Sequence, residues 1–152
     1  MLIPPVGRPT PDFFYEWLLY IGDPYMHVNR LSEKVIGLAI KVHRTLGPGF
    51  LESVYQAALA YELDQARIPF EKEKAMPVHY GPVTLNVGFR CDFLVNGCLL
   101  LEIKATKKIM PIDHAQLLNY LKISRLHLGL ILNFNVMVLK DGGIKRIVHQ
   151  LV

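Results

Sequence analysis

Residues 89–105 read FRCDFLVNGCLLLEIKA, two apolar runs joined at Asn96-Gly97. That dipeptide tolerates the positive φ of a tight turn, so the stretch is expected to fold as an antiparallel hairpin. The length of the turn decides where the charges point. A two-residue loop, Asn96-Gly97, pairs Val95 with Cys98 and puts Asp92 and Glu102 on opposite faces. A three-residue loop, Val95-Asn96-Gly97 with the glycine left-handed, pairs Leu94 with Cys98 and puts Arg90, Asp92, Leu100, Glu102 and Lys104 on one face. The second register is expected, because charges buried unpaired in a strand this apolar cost several kcal/mol each, on the order of a lost solvation shell.

Asp92, Glu102 and Lys104 should therefore share one polar site. Two carboxylates beside an ammonium offer hard oxygen ligands for Mg²⁺ or Mn²⁺ and a cation to orient a water or steady developing charge, which points to metal-assisted hydrolysis of a phosphodiester. A surface salt-bridge ladder on an edge strand is the competing reading of the hairpin alone.

The spacing Asp92, nine residues, Glu102-Ile103-Lys104 resembles the D…(D/E)-x-K core of the PD-(D/E)XK nuclease superfamily. Gly49-Phe50-Leu51-Glu52-Ser53-Val54-Tyr55 resembles the signature of the GxxExxY family, a small-protein branch of that superfamily. The flanking segments LSEKVIGLAIKVHRTLGPGFLESVYQAAL and AQLLNYLKISRLHLGLILNFNV extend the likeness from about Leu31 to the C-terminus. Cys91 stands where the superfamily often has proline. The resemblance implies a mixed α/β core and a metal site of Glu52, Asp92, Glu102 and the Ile103 carbonyl, with Lys104 completing a catalytic set of Glu52, Asp92, Glu102 and Lys104. It also implies that Gln116 and Tyr120, a Q-x-x-x-Y element, line the site or touch the nucleic-acid backbone, and that Tyr55, near Glu52, joins them as a substrate-binding residue.

Composition fits one globular domain: 152 residues, 51% hydrophobic and 20% charged. No apolar run reaches the roughly 18 residues of a membrane helix, and no secretory leader pattern opens the chain, so a cytoplasmic protein with no membrane partner is expected. Cys91 and Cys98 fall out of register on the hairpin and are expected as reduced thiols. Charge is uneven. Residues 1–25 carry a net −2 and residues 26–152 a net +6, and the segment after Glu102 holds eight bases against Asp113 and Asp141. A basic surface beside a metal site suits a polyanion, with DNA ranked ahead of RNA, and is compatible with a homodimer.

Residues 1–25, broken by prolines at 4, 5, 9, 11 and 24, are set apart as an N-terminal extension from a domain over residues 26–152. Phe13 to Ile21 could form one short amphipathic helix, and Phe13, Phe14, Trp17 and Leu18 would cover an apolar patch. The first full helix is expected from Leu31 to Leu46, capped by Asn29 or Ser32, and ended by Gly47-Pro48-Gly49. His43 beside its apolar face reads better as a hydrogen-bonded structural histidine than as a ligand. A second helix is expected from Phe50 to Arg67, with Leu51, Val54, Ala58, Leu59 and Leu63 as its stripe. Strands follow at Phe70–Tyr80 and Val83–Val95, the first a charged edge.

A helix from Pro111 to Ile123 puts Asp113, Gln116 and Tyr120 on one face, and strands at Leu126–Phe134, Val136–Leu139 and Ile144–Val148 close a mixed sheet with helices on its faces. Two further readings remain: a catalytically inactive nucleic-acid-binding module of the same fold, and a protein-interaction subunit.

Overall fold

The computed structural model describes residues 24–150. The expectations for Phe13 to Ile21 and their aromatic patch lie outside those residues. Helix α1 (Pro24–Leu46) begins seven residues before the expected Leu31, so it runs through the 25/26 boundary without a break. Asn29 and Ser32 consequently lie inside the helix rather than capping it. Ser32 Oγ donates back to the Asn29 carbonyl at 2.7 Å, and the Asn29 amide oxygen accepts from Arg146. Val28, Leu31, Val35, Ala39 and Val42, three or four apart, form the buried face. Gly47 (φ 70°) and Gly49 (φ 106°) then take left-handed backbone, which ends the helix.

Helix α2 (Glu52–Gln65) follows, burying Tyr55, Leu59 and Leu63. Leu51, expected on the stripe, is the N-cap residue and 76% exposed. Strands β1 (Phe70–Tyr80), β2 (Val83–Val95) and β3 (Leu99–Lys104) form a meander; α3 (Pro111–Ser124) crosses over to β4 (Leu128–Asn133), and β5 (Ile144–Val148) closes the sheet. The order is β1-β2-β3-β4-β5, with β3 and β4 parallel and every other pair antiparallel. This is a mixed sheet with α1 and α2 on one face and α3 on the other, so β3 and β4 are buried on both sides and read as near-continuous apolar runs.

Residues Val136–Leu139, expected as a strand, form bends and a turn. Val136 and Leu139 pack against the core while Met137 and Val138 point outward, a spacing of three that a strand cannot provide. His43 is structural, as expected: it is buried and its Nε2 lies 2.7 Å from the Val136 carbonyl. Both cysteines are free thiols. No helix among the described residues is long and apolar enough to cross a membrane.

The hairpin turn is three residues long, but it is Asn96-Gly97-Cys98, with Val95 opposite Leu99, Leu94 opposite Leu100 and Phe93 opposite Leu101. This corrects the expected Leu94–Cys98 pairing by two positions. Because the side-chain period of a strand is two, the slip leaves the faces from Phe93 to Lys104 as expected: Leu100 packs on the α3 side and Phe93, Val95, Leu101 and Ile103 on the α1–α2 side. Cys91 packs on the α3 side, so Arg90 beside it does not share the face of Leu100 expected for it.

Candidate active site

The β2–β3 register ends at Phe93–Leu101. One pair further, Asp92 falls opposite Glu102, and there the regular pattern breaks on both sides of β2. Cys91 packs in the α3-side cluster and Phe93 in the other, although a regular strand would put them on one face. Glu73, which falls opposite Asp92 on β1, has φ 52° and is skipped by the β1–β2 pairing. In place of a backbone acceptor on β2, the Asp92 Oδ2 atom accepts the Ile103 N–H at 2.7 Å. The N–H and C=O of one residue leave a strand on the same edge, so the Ile103 carbonyl also faces this gap.

Glu102 is 8% exposed, and its Oε1 is buried with no hydrogen-bond partner. Burial first, and the Asp92 charge second, push its carboxyl up to about 8. Burial raises Asp92 too, opposed chiefly by the Ile103 N–H. The asymmetry has a physical cause: each carboxyl takes one backbone N–H, but the hydrogen bond between the two favours charged Asp92 and keeps the proton on Glu102. The pair thus shares a proton near neutral pH when nothing else neutralises it.

Lys104, at the end of β3, opposes these upward shifts at Asp92, Glu102 and Glu52. Its Nζ lies 3.7 Å from Asp113 Oδ1, both side chains being largely buried. Asp113 Oδ2 accepts the Met110 N–H at 2.7 Å, so the same carboxylate closes the first turn of α3 and steadies the lysine. Asp113 was legible as a member of the Gln116–Tyr120 face, but its spacing did not reveal the tie to Lys104. Asn133 was missed altogether. It is 2% exposed, accepts from the Thr106 and Asn135 N–H groups at 3.1 and 3.2 Å, and donates to the Thr106 carbonyl at 3.0 Å. The signal was a lone amide closing the apolar strand LGLILN.

Glu52, on the first turn of α2, is half-buried and is raised by burial and then by the Asp92 charge. Gln56 Nε2 donates to its Oε1 at 3.4 Å. The structure thus puts Glu52 in the field of the pair, while among the described residues no three His, Cys, Asp or Glu converge as one metal-holding group. Asp92 and Glu102 form the adjacent pair, and Glu52, the third carboxylate expected at the site, approaches from α2.

Tyr55 is also corrected. It is fully buried, its ring stacks on Phe134 at 4.6 Å, and its hydroxyl donates to the Gly47 carbonyl at 2.5 Å and accepts from Phe50 N–H at 3.2 Å. It fastens the loop before Glu52 and presents no surface to a substrate. Gly49, Glu52 and Tyr55 therefore have separate duties: a left-handed bend, a charge aimed at the strands, and a clasp.

From α3, Tyr120 is 3% exposed and bonded to Gln116. Burial, then Glu102, Cys91 and Asp92, raise its phenol. Tyr120 walls the carboxylate pair from within, and Gln116 is the half-buried member of that face. Beside Asp113 lies a cavity of about 620 Å³ lined by Thr106, Lys107, Lys108 and Met110.

Two adjacent carboxylates, one buried oxygen without a partner and a carbonyl on the same edge fit a hard divalent cation. Mg²⁺ commonly takes only one or two protein carboxylates and fills its shell with water and substrate phosphate. No curated protein and no solved structure matches the chain. A model of the PD-(D/E)XK nuclease superfamily matches residues 29–147, a span that includes Glu52, Asp92, Glu102, Lys104 and Gln116, and the chain belongs to that superfamily.

Proposed function

We propose that this protein is a nuclease of the GxxExxY branch, hydrolysing phosphodiester bonds of nucleic acid, DNA ahead of RNA, with Mg²⁺ or Mn²⁺ held by Asp92, Glu102 and the Ile103 carbonyl. The observation that carries the proposal is the pair of half-buried Asp92 and buried Glu102, one Glu102 oxygen unpartnered, beside a lysine that a third carboxylate, Asp113, holds in place. A structural ion pair would leave no such oxygen.

When bound, a divalent ion supplies Lewis acidity and a water of lowered pKa. The chain supplies the rest. Asp92 is anchored to β3 through Ile103, so both acids and Lys104 ride on one rigid unit. Lys104, steadied by Asp113, offers a proton donor or a positive charge to the reacting phosphate. Glu52 adds negative field from α2, and Gln56 restrains it. Gln116 offers an amide to the substrate backbone, while Tyr120 excludes water behind the pair.

The test is cleavage of labelled single- and double-stranded DNA and RNA in Mg²⁺, Mn²⁺ and EDTA by wild type, Asp92→Ala and Lys104→Ala. Metal-dependent cutting lost in both variants is expected. Absence of cutting on every substrate, together with no calorimetric signal for Mn²⁺, would overturn the proposal.

A further inference from the structure

Three loops meet where the parallel strands β3 and β4 end: residues 47–51 before α2, residues 105–110 leading into α3, and residues 134–140 after β4. The Tyr55 clasp on Gly47, its stack on Phe134 and the Asn133 amide between Thr106 and Asn135 tie them together. Eleven large apolar side chains are exposed among the described residues, and six of them stand here: Phe50, Leu51, Met110, Met137 and Val138 on these loops and Ile112 in the first turn of α3. Leu51, Ile112 and Met137 are 76, 72 and 85% exposed. Exposed cations stand among them: Arg44 and Lys140 border a cavity of about 300 Å³ with Met137 and Val138, and Lys107 and Lys108 border the larger cavity with Met110.

This surface is mismatched to a duplex. Double-stranded nucleic acid shows phosphates outside and keeps base faces stacked, so cations alone would meet it. A concentration of apolar side chains between lysines fits a polyanion whose apolar faces are accessible. We infer that the site takes nucleic acid with unpaired bases, the bases lying on Phe50, Leu51, Met137 and Ile112 and the phosphates on Lys107, Lys108, Arg44 and Lys140. This rests on the proposed nuclease reading and narrows its substrate.

The test is fluorescence anisotropy with the full chain and a labelled strand of about 20 nucleotides, long enough for one small binding site, alone and as a duplex, in EDTA across a salt series. Single strand is expected to bind at least about tenfold more tightly than duplex at equal salt. Leu51→Ser/Met137→Ser is expected to lose about tenfold on single strand with the salt slope unchanged, and Lys107→Ala/Lys108→Ala to lower the slope by about 1.4. Both positions of the apolar variant are exposed, and thermal melts confirm folding.

Equal or tighter binding of duplex would overturn the inference, even with metal-dependent cutting intact, which leaves the nuclease reading standing. Sedimentation as a dimer that the apolar variant dissociates would also overturn it. Single-strand preference without any cutting would support it while removing the catalytic reading.

Discussion

The Ile103 N–H donates to Asp92 Oδ2 at 2.7 Å, so a side chain of β2 occupies the place where the β2–β3 ladder has just ended. The acid is thereby fixed to the strand that carries Glu102 and Lys104. Asp92→Asn keeps an acceptor for Ile103 and removes the repulsion with Glu102. It is expected to abolish the Mn²⁺ heat signal and to lower cleavage by at least about 100-fold, while the melting temperature in EDTA holds or rises. Asp92→Ala leaves the buried N–H unpaired and is expected to cost about 1–3 kcal/mol besides. Calorimetry and melts of the two variants separate charge from anchoring.

Lys104 and Asp113 make a second testable pair. Asp113→Asn retains an acceptor for the Met110 N–H but loses the charge that holds the lysine. Single-turnover cleavage is expected to fall by about 10- to 100-fold, the usual scale for loss of a partner that orients a site residue. Asp113→Ala also weakens the helix start, by about 1 kcal/mol. If Asp113 acts through Lys104, the Lys104→Ala/Asp113→Ala double variant is no slower than Lys104→Ala alone.

Much of this arrangement was legible because apolar periodicity fixes faces. The charges in LLLEIK could only be tolerated together, and strand period two preserved that conclusion although the turn fell one residue later than expected. The elements of the hairpin and of α3 appeared at their expected places for the same reason. What escaped was set by contacts distant in sequence. The Tyr55 hydroxyl is spent on a loop eight residues back, which no spacing argument distinguishes from a tyrosine facing substrate. Val136–Leu139 has the apolar content of a strand but bends so that two of its residues enter the core. Asn133 works through loops on both sides of its strand.

Tyr55→Phe separates the clasp from a substrate contact. The variant keeps the stack on Phe134 and loses the hydroxyl that holds Gly47 and Phe50. A loss of about 1–3 kcal/mol is expected, or roughly 5 °C in melting temperature for a domain of this size, with KM for nucleic acid unchanged. A raised KM at constant melting temperature would make Tyr55 a substrate residue after all.

Glu102 makes stability and metal affinity respond oppositely to pH. In the metal-free fold its carboxyl is pushed up to about 8 by burial and by Asp92, whereas in the unfolded chain it titrates near the usual 4.5. Between those values the native state binds more protons than the unfolded state. This contribution to stability is fully present below about 4.5 and is lost as pH rises through about 8; the raised Asp92 adds in the same direction. Melting temperature in EDTA is therefore expected to fall from about pH 5 to pH 8. A cation must displace the shared proton, so Mn²⁺ affinity is expected to tighten about tenfold from pH 6 to pH 7 and to level off above about 8. Glu102→Gln should flatten both profiles. Stability that instead climbs with pH over this range would mean that Glu102 is charged and paired in the fold, leaving no proton for a metal to replace.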